Sequence, residues 1–194
     1  MMRIITGKAR GVRLATLPGD HVRPTTEMAK EGIFSAIQFE VEGKRFLDLF
    51  AGSGQMGLEA ISRGAASATF VDCSEDSLKI VRKNIEKTGF ALQSKVIRSE
   101  YGEFIKASGK RGLQFDLLFA DPPYEKDLTG ELVKRLVRAG LVAPGGLMML
   151  ETAADEVDFE ALPREVREQI ASVKQYKFAR CFVYFVRLKG GEEE

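Results

Sequence analysis

Short apolar runs alternate along the chain with longer segments in which apolar residues recur every three or four positions. The short runs, such as 46–50 and 115–120, are almost continuously apolar, which is typical of strands buried in a parallel sheet. The longer segments have helical periodicity and end near glycines, as at Gly89 and Gly140. The pattern predicts strands at 46–50, 68–72, 95–98, 115–121 and 146–151, and helices at 56–63, 75–88, 101–107 and 128–139.

Strands that alternate with helices predict one α/β fold, a doubly wound and mainly parallel sheet with helices on both faces. Two β-rich runs, 170–176 and 181–188, end the pattern and are expected to be antiparallel neighbours. The polar segment 154–166 before them is expected to be a connection that contains a helix. We expect the acidic tail, 190–194, to fray.

The first forty residues do not follow this alternation. Residues 2–17 contain two short apolar stretches around the glycines at 7 and 11, which predicts a β-hairpin whose turn displays Lys8 and Arg10. Thr25 or Thr26 can cap the next helix, because a hydroxyl accepts from free N–H groups at a helix start. We therefore divide the chain into an appendage at 1–40, a main domain at 41–189 and the tail.

The formal net charge of the 194-residue chain is +1, so there is no global positive field to attract nucleic acid. The charge is uneven, however, because residues 1–30 carry six cations against Asp20 and Glu27. This local excess suits contact with phosphates, although a solvated basic face would have the same composition. The candidate RNA-binding residues are Arg3, Lys8, Arg10, Arg13 and Arg23.

Cysteine and histidine usage excludes several kinds of site. Cys73 and Cys181 are far apart and have no metal-ligand spacing, and His21 is the single histidine. We therefore expect reduced thiols and no metal. No apolar run reaches the roughly 18 residues that a membrane span needs, and residues 1–30 lack the apolar core of a signal peptide. The expectation is a cytoplasmic protein, a monomer without a membrane partner.

Polar and glycine residues collect where the predicted strands end, at 48–54, at Asp72, at 99–101 and at 121–124. In open α/β sheets, ligands bind at the carboxyl ends of the strands. Four separate segments are thus expected to meet at one edge of the sheet.

The first of these segments predicts a cofactor site. Residues 52–57 have the spacing Gly-x-Gly-x-x-Gly between a strand and a helix, which by itself is a weak signal. Asp48 beside this turn would repel a pyrophosphate but attract the ammonium group of S-adenosylmethionine. Asp72 can accept hydrogen bonds from two ribose hydroxyls. Ser99 to Tyr101 lie where an adenine would bind, although Tyr101 is equally compatible with ordinary packing. The predicted cofactor-binding residues are Asp48, Phe50, Gly52, Gly54, Asp72, Ser99, Glu100 and Tyr101.

Asp121-Pro122-Pro123-Tyr124 is the more specific signal. Two prolines make a stiff backbone whose carbonyls can face a ligand. Asp121 and the Pro122 carbonyl can accept from an exocyclic amine and stabilise the charge that develops on its nitrogen during methyl transfer. Tyr124 can stack on a base. We identify these four residues, including Pro123, as the candidate catalytic segment; a plain proline turn is the alternative.

Taken together, these motifs resemble the RsmD-type 16S rRNA guanine-N2 methyltransferases, a branch of the Rossmann-like class I methyltransferases. The segments that carry the resemblance are 2–11, 23–26, 47–54, 57–60, 62–65 and 121–124. The resemblance implies a seven-stranded sheet with its last strand antiparallel, cofactor contacts near Asp48, Gly52, Gly54 and Asp72, and an amine site at Asp121, Pro122 and Tyr124. Gln55-Met56 and Phe46 depart from the expected pattern, outside the proposed chemistry.

The resemblance also implies a substrate class, the small ribosomal subunit or its assembly intermediates. The resulting hypothesis is methyl transfer from S-adenosylmethionine to the exocyclic N2 of a guanine in bacterial 16S rRNA. An adenine-N6 methyltransferase acting on RNA or DNA is the nearest alternative, since Asp-Pro-Pro-Tyr fits both amines. A nicotinamide-dependent oxidoreductase could use the glycine turn and Asp72, and a non-catalytic RNA-binding module could use the basic appendage.

Overall fold

A computed structural model of the chain describes residues 2–17, 25–122, 128–178 and 181–191. Several features from the sequence analysis lie outside these ranges: Asp20, His21, Arg23, Pro123, Tyr124 and the end of the acidic tail. The side chains of Thr25 and Thr26 are likewise outside the description, so the expected cap there stays a prediction.

Among the described residues, seven strands form one sheet. They are β1 (Arg45–Leu49), β2 (Ser67–Asp72), β3 (Ser94–Arg98), β4 (Phe115–Ala120), β5 (Val142–Thr152), β6 (Ile170–Phe178) and β7 (Cys181–Leu188). Their order across the sheet is β3-β2-β1-β4-β5-β7-β6. β1 to β5 run parallel to one another, and β7 is antiparallel to both β5 and β6. This arrangement confirms the predicted fold class, a mainly parallel sheet with its last strand reversed.

Six α-helices accompany the strands within the described ranges. They are α1 (Thr25–Ala36), α2 (Gln55–Ser62), α3 (Glu75–Thr88), α4 (Tyr101–Lys110), α5 (Leu128–Arg138) and α6 (Arg164–Arg167). α3 is the helix predicted at 75–88: the Ser74 hydroxyl caps its start by accepting from the Ser77 N–H, and Gly89 closes it at φ 75°. None of the helices described is long and apolar enough to cross a membrane.

Alternate residues of the central strands pack into two cores, one on each face of the sheet. Phe46, Phe119 and Met149 belong to one core, which also receives α1, α2 and α3. Leu47 and Leu49, together with residues of α4 and α5, belong to the other. Burial on both faces explains the nearly continuous apolar runs that identified the strands in the sequence.

The N-terminal segment, residues 2–17, forms a shorter hairpin than the one predicted. A single antiparallel bridge pairs Arg3 with Arg13, and backbone hydrogen bonds of 3.0 Å on either side of the bridge link the two arms. Other backbone N–H groups of the segment donate to α2. Those of Ile5 and Thr6 donate to the Glu59 carboxylate at 2.8 and 3.0 Å, and that of Lys8 donates to the Ser62 carbonyl at 2.8 Å. These long-range contacts hold the short hairpin against α2.

Glu59 is the centre of this attachment and is fully buried. Its carboxylate lies 2.8 Å from the Arg63 guanidinium and 3.7 Å from the equally buried Lys30 ammonium. The Lys30 Nζ also donates to the Arg3 carbonyl at 2.6 Å. A buried carboxylate needs such a full set of partners, since an unpaired one would be costly. The pair therefore fixes α1, α2 and the N-terminal segment to one another.

Candidate active site

The connection from β1 to α2 is a tight turn with left-handed backbone at three positions. Phe50, Gly52 and Gly54 have φ angles of 69°, 54° and 76°. The Gly54 N–H donates to the Ala51 carbonyl at 2.7 Å, and α2 begins at the next residue. Glycine adopts such φ values without the steric cost that a side chain adds, whereas at Phe50 the geometry is strained. The turn leaves the start of α2 facing the carboxyl edge of the sheet.

The three spaced glycines have different roles. A Cβ atom on Gly57 would lie 2.4 Å from the Phe70 ring, and one on Gly54 would lie 3.2 Å from it, so both permit close packing of α2 on β2. A Cβ on Gly52 would meet nothing within 4 Å. Gly52 is therefore the position at which a ligand could approach the backbone, and its φ explains why glycine is favoured there.

Asp72, at the end of β2, connects two loops of this edge. Its Oδ2 accepts from the Gly52 N–H at 2.9 Å, and its Oδ1 accepts from the Ser74 N–H at 2.8 Å. Each carboxylate oxygen has a second lone pair, so hydrogen bonds from hydroxyl groups remain possible. The carboxylate thus holds the glycine turn in place and can still accept from a ligand.

Asp48 lies behind the turn rather than on its surface. Its side chain is 2% exposed, and its Oδ2 accepts from the Gly57 N–H at 2.9 Å. Burial raises the pKa of Asp48 to about 7, and the neighbouring charges of Asp72 and Asp121 act in the same direction. A cation placed beside the turn would favour the ionised form of this carboxyl group.

The end of β3 contributes an aromatic pair and a helix cap. The Phe50 and Tyr101 ring centroids are 5.2 Å apart, and the Arg135 guanidinium lies 5.7 Å from the Tyr101 centroid. Glu100 caps α4, since its Oε2 accepts from the Gly102 N–H at 2.7 Å. The Ser99 N–H donates to the Asp72 carbonyl at 3.1 Å. The three residues predicted here, Ser99 to Tyr101, therefore follow β3 and lie beside the ends of β1 and β2.

The end of β4 lies between those of β1 and β5. Ala120 is in register with Leu49 on one side and with Leu150 on the other. The next residue, Asp121, therefore lies at the same edge of the sheet as the residues that follow Leu49 and Leu150. Asp121 is exposed and Pro122 is buried. Asp121 and Pro122 are the two described residues of the four proposed as catalytic. Asp121 lies at the same edge of the sheet as the predicted cofactor-binding residues.

A cleft beside Asp121 is lined from four elements. Phe119 comes from β4 and Asp121 follows that strand. α2 supplies Gln55 and Met56, β5 supplies Glu151, and α1 supplies the remaining wall of Ala29, Lys30 and Ile33. Sequence reasoning missed Glu151 as a site residue. Its signal was available, because it ends the predicted fifth strand and therefore belongs to the same edge as Asp121.

Cys181 lies near these carboxylates and is buried. Burial, followed by the negative charge of Glu151, raises the pKa of its thiol to about 12. The thiol is therefore neutral at ordinary pH and unsuited to nucleophilic chemistry. Both cysteines are free, as expected, with Cys73 exposed. Among the described residues there is no cluster of His, Cys, Asp or Glu side chains that could hold a metal ion.

The basic side chains of the N-terminal segment are exposed, as their proposed role requires: Arg3, Lys8, Arg10 and Arg13. Arg3 is paired with Glu27 at 2.9 Å, which reduces the charge it offers to a ligand. The ammonium of Lys87 on α3 reaches the Arg13 carbonyl at 3.5 Å, so a further cation adjoins the segment. Asn84 fastens the segment to α3, because its side chain both accepts from the Ala15 N–H and donates to the Ala15 carbonyl.

This sheet order, with a glycine turn at the carboxyl ends of the strands, is a Rossmann-like α/β fold. A methyltransferase from Agrobacterium tumefaciens, named as SAM dependent, shares the fold at a TM-score of 0.64 and 19% identity, over 93% of this chain and 66% of that one. A hypothetical protein of Thermus thermophilus has a TM-score of 0.77 and 28% identity over 97% of this chain and all of its own.

The chain belongs to the family described as Conserved hypothetical protein 95, whose model matches residues 2–185. A relative in Haemophilus influenzae, Ribosomal RNA small subunit methyltransferase D, is 31% identical over 80% of each chain. The Escherichia coli protein of the same name is 32% identical over 79% of this chain and 76% of its own. Because the family model matches the chain from residue 2, the matched region includes the N-terminal segment as well as the sheet.

Proposed function

We propose that this protein transfers a methyl group from S-adenosylmethionine to the exocyclic N2 of a guanine in the 16S rRNA of the small ribosomal subunit. One observation carries the proposal: Asp121-Pro122 follows β4 in register beside the glycine turn that follows β1. A cofactor bound at the turn and an amine held at Asp121 would therefore be neighbours. The relatives' name adds the substrate class.

The residues around the turn fit this cofactor. Open space at Gly52 allows close approach to the backbone, and Asp72 can accept from ribose hydroxyls. Asp48 and Asp72 place negative charge at the turn, which favours an ammonium or sulfonium group and disfavours a pyrophosphate. When bound, S-adenosylmethionine supplies an activated methyl group. The Phe50–Tyr101 pair offers an aromatic surface for the adenine.

The acceptor side must orient a poor nucleophile, because the lone pair of an exocyclic amine is delocalised into its base. Asp121 and the Pro122 carbonyl accept from the two N–H groups, which turns the nitrogen lone pair toward the methyl group and stabilises the positive charge that forms on nitrogen. Asp121 can also take the proton that the nitrogen then releases. Tyr124, outside the described residues, is proposed to stack on the base.

The proposed RNA contact is confined to the N-terminal segment and its surroundings. Lys8, Arg10 and Arg13 are exposed there, together with Arg23 in the sequence beyond it, and they would contact phosphates. A net charge of only +1 is compatible with this mode, because most of the surface need not touch RNA. We further propose that the protein acts as a monomer in the cytoplasm.

Labelled methyl transfer tests the proposal. Small subunits from a strain that lacks the modification are incubated with methyl-labelled S-adenosylmethionine, and the product nucleoside is identified by mass spectrometry after digestion. We expect one methyl group per subunit, recovered as N2-methylguanosine. Recovery of N6-methyladenosine would contradict the guanine specificity, and transfer no higher than in a sample without enzyme would contradict the activity.

A further inference from the structure

The cleft beside Asp121 contains a second carboxylate, that of Glu151. Ala120 on β4 is in register with Leu150 on β5, and both pack into the same core. Side chains alternate between the faces of a sheet, so the next residues, Asp121 and Glu151, share the opposite face. Neighbouring strands lie about 4.8 Å apart, which places the two carboxylates side by side along one wall.

Glu151 has a rigid support. It lies within β5, one residue before that strand ends, and is in register with Val183 on the antiparallel strand β7. Met149 and Leu150 before it are buried. A side chain on a strand that is paired on both edges is held more precisely than one on a loop. The carboxylate can therefore act as a fixed acceptor beside the amine site.

The Watson–Crick edges of guanine and adenine differ at the atom next to the amine-bearing carbon. Guanine presents two adjacent donors, the N2 amine and the N1–H. Adenine presents its N6 amine beside N1, which has no hydrogen and is an acceptor. Two neighbouring carboxylates would thus match guanine, whereas adenine would place an acceptor against an acceptor, an unfavourable contact in a confined site.

We propose that Glu151 accepts a hydrogen bond from the guanine N1–H while Asp121 accepts from the N2 amine, and that Glu151 is therefore the residue that selects guanine over adenine. This inference rests on the proposed function and extends it to the base selection that Asp121-Pro122 alone leaves open. The methyl transfer step is unchanged; Glu151 contributes by positioning and by rejecting bases without an N1–H.

The test uses 2-aminopurine, which keeps the N2 amine of guanine but has an acceptor at N1. Small subunits are reconstituted with either guanine or 2-aminopurine at the nucleotide that the wild-type protein methylates, and kcat/KM for labelled transfer is measured on both. The proteins are the wild type, Glu151→Gln and Glu151→Ala, with Glu168→Gln as a matched control. Glu168 is exposed in the connection between β5 and β6, and among the described residues its side chain forms an ion pair only with Arg164.

The preference of each protein is the ratio of its kcat/KM on guanine to its kcat/KM on 2-aminopurine. Comparing this ratio between proteins cancels the difference in intrinsic reactivity between the two bases. We expect the wild type and Glu168→Gln to prefer guanine, and Glu151→Gln to reduce that preference at least tenfold, because its amide can donate to N1 of 2-aminopurine. Glu151→Ala, which removes the acceptor without adding a donor, should lower transfer to guanine and also reduce the preference.

The outcomes separate the two claims. If the wild type methylates guanine but both Glu151 variants keep its preference for guanine over 2-aminopurine, Glu151 does not read N1 and the inference is wrong. If the wild type transfers nothing to guanine-containing subunits, the proposed function fails and the inference fails with it. Thermal unfolding of each variant shows whether a loss of transfer reflects a loss of the fold.

Discussion

Replacing Asp48 by Asn should stabilise the cofactor-free protein at alkaline pH. Asp48 is buried behind the glycine turn, and its pKa is raised from 3.8 to about 7. A carboxyl group with a raised pKa is favoured in its protonated form by the fold. Its contribution to stability is therefore complete below the unfolded pKa near 4 and is lost as pH rises to about 7. Asparagine keeps the acceptor for the Gly57 N–H without the charge.

The size of the effect follows from the pKa difference. A difference of about 3 units at about 1.4 kcal/mol per unit corresponds to about 4 kcal/mol between pH 4 and pH 8. Of this, about 2–3 kcal/mol falls between pH 5 and pH 8. The free energy of unfolding of Asp48→Asn relative to wild type should rise by that amount between the two pH values, as measured by urea denaturation without cofactor.

The same substitution should weaken the cofactor site, because it removes a negative charge beside the position proposed for an ammonium group. We expect the Kd of S-adenosylhomocysteine, measured by calorimetry at pH 8, to rise about tenfold, or ~1.4 kcal/mol. Gain of stability together with loss of affinity is the usual trade-off at a binding site. A stability difference that is the same at pH 5 and pH 8 would refute the account of Asp48, and unchanged affinity would refute its role toward the cofactor.

Two further substitutions test the supports of the site. Gly57→Ala should lower stability, measured by thermal unfolding, by about 1–3 kcal/mol, because its Cβ would lie 2.4 Å from Phe70. Gly130→Ala is the control: its nearest contact would be at 3.8 Å, so it should be neutral or slightly stabilising. Equal effects of the two substitutions would contradict the packing argument. Glu59→Gln should cost about 3–5 kcal/mol in urea denaturation, because it leaves the buried Lys30 ammonium without its charged partner. A loss below about 1 kcal/mol would show that this pair does not hold the N-terminal segment.

The sheet could be predicted from sequence because its strands are buried on both faces and read as short apolar runs. The strand ends followed from the same pattern, so Asp48, Asp72 and Asp121 were placed at one edge without coordinates. One strand was misjudged: β5 begins at Val142 rather than at 146. Pro144 lies near the shift in the register with β4, and a proline normally signals the end of a central strand.

The buried polar contacts could not be predicted in this way. Glu59, Lys30 and Asn84 have the residue types of a solvated helix surface, and their burial depends on which distant backbone groups the fold brings to them. The contacts of Glu59 also attach the N-terminal hairpin to α2, which its sequence does not indicate. Asp48 was found by its position, but its burial behind the turn, and hence the direction of its pKa shift, needed the packing of α2.

Asp121→Ala removes the carboxylate with which the end of β4 is proposed to hold the methyl-accepting amine. Labelled methyl transfer to unmodified small subunits and the Kd of S-adenosylhomocysteine are measured on the same preparation. We expect transfer to fall at least about a hundredfold while the Kd changes less than about threefold. Transfer at the wild-type rate would show that Asp121 does not hold the amine.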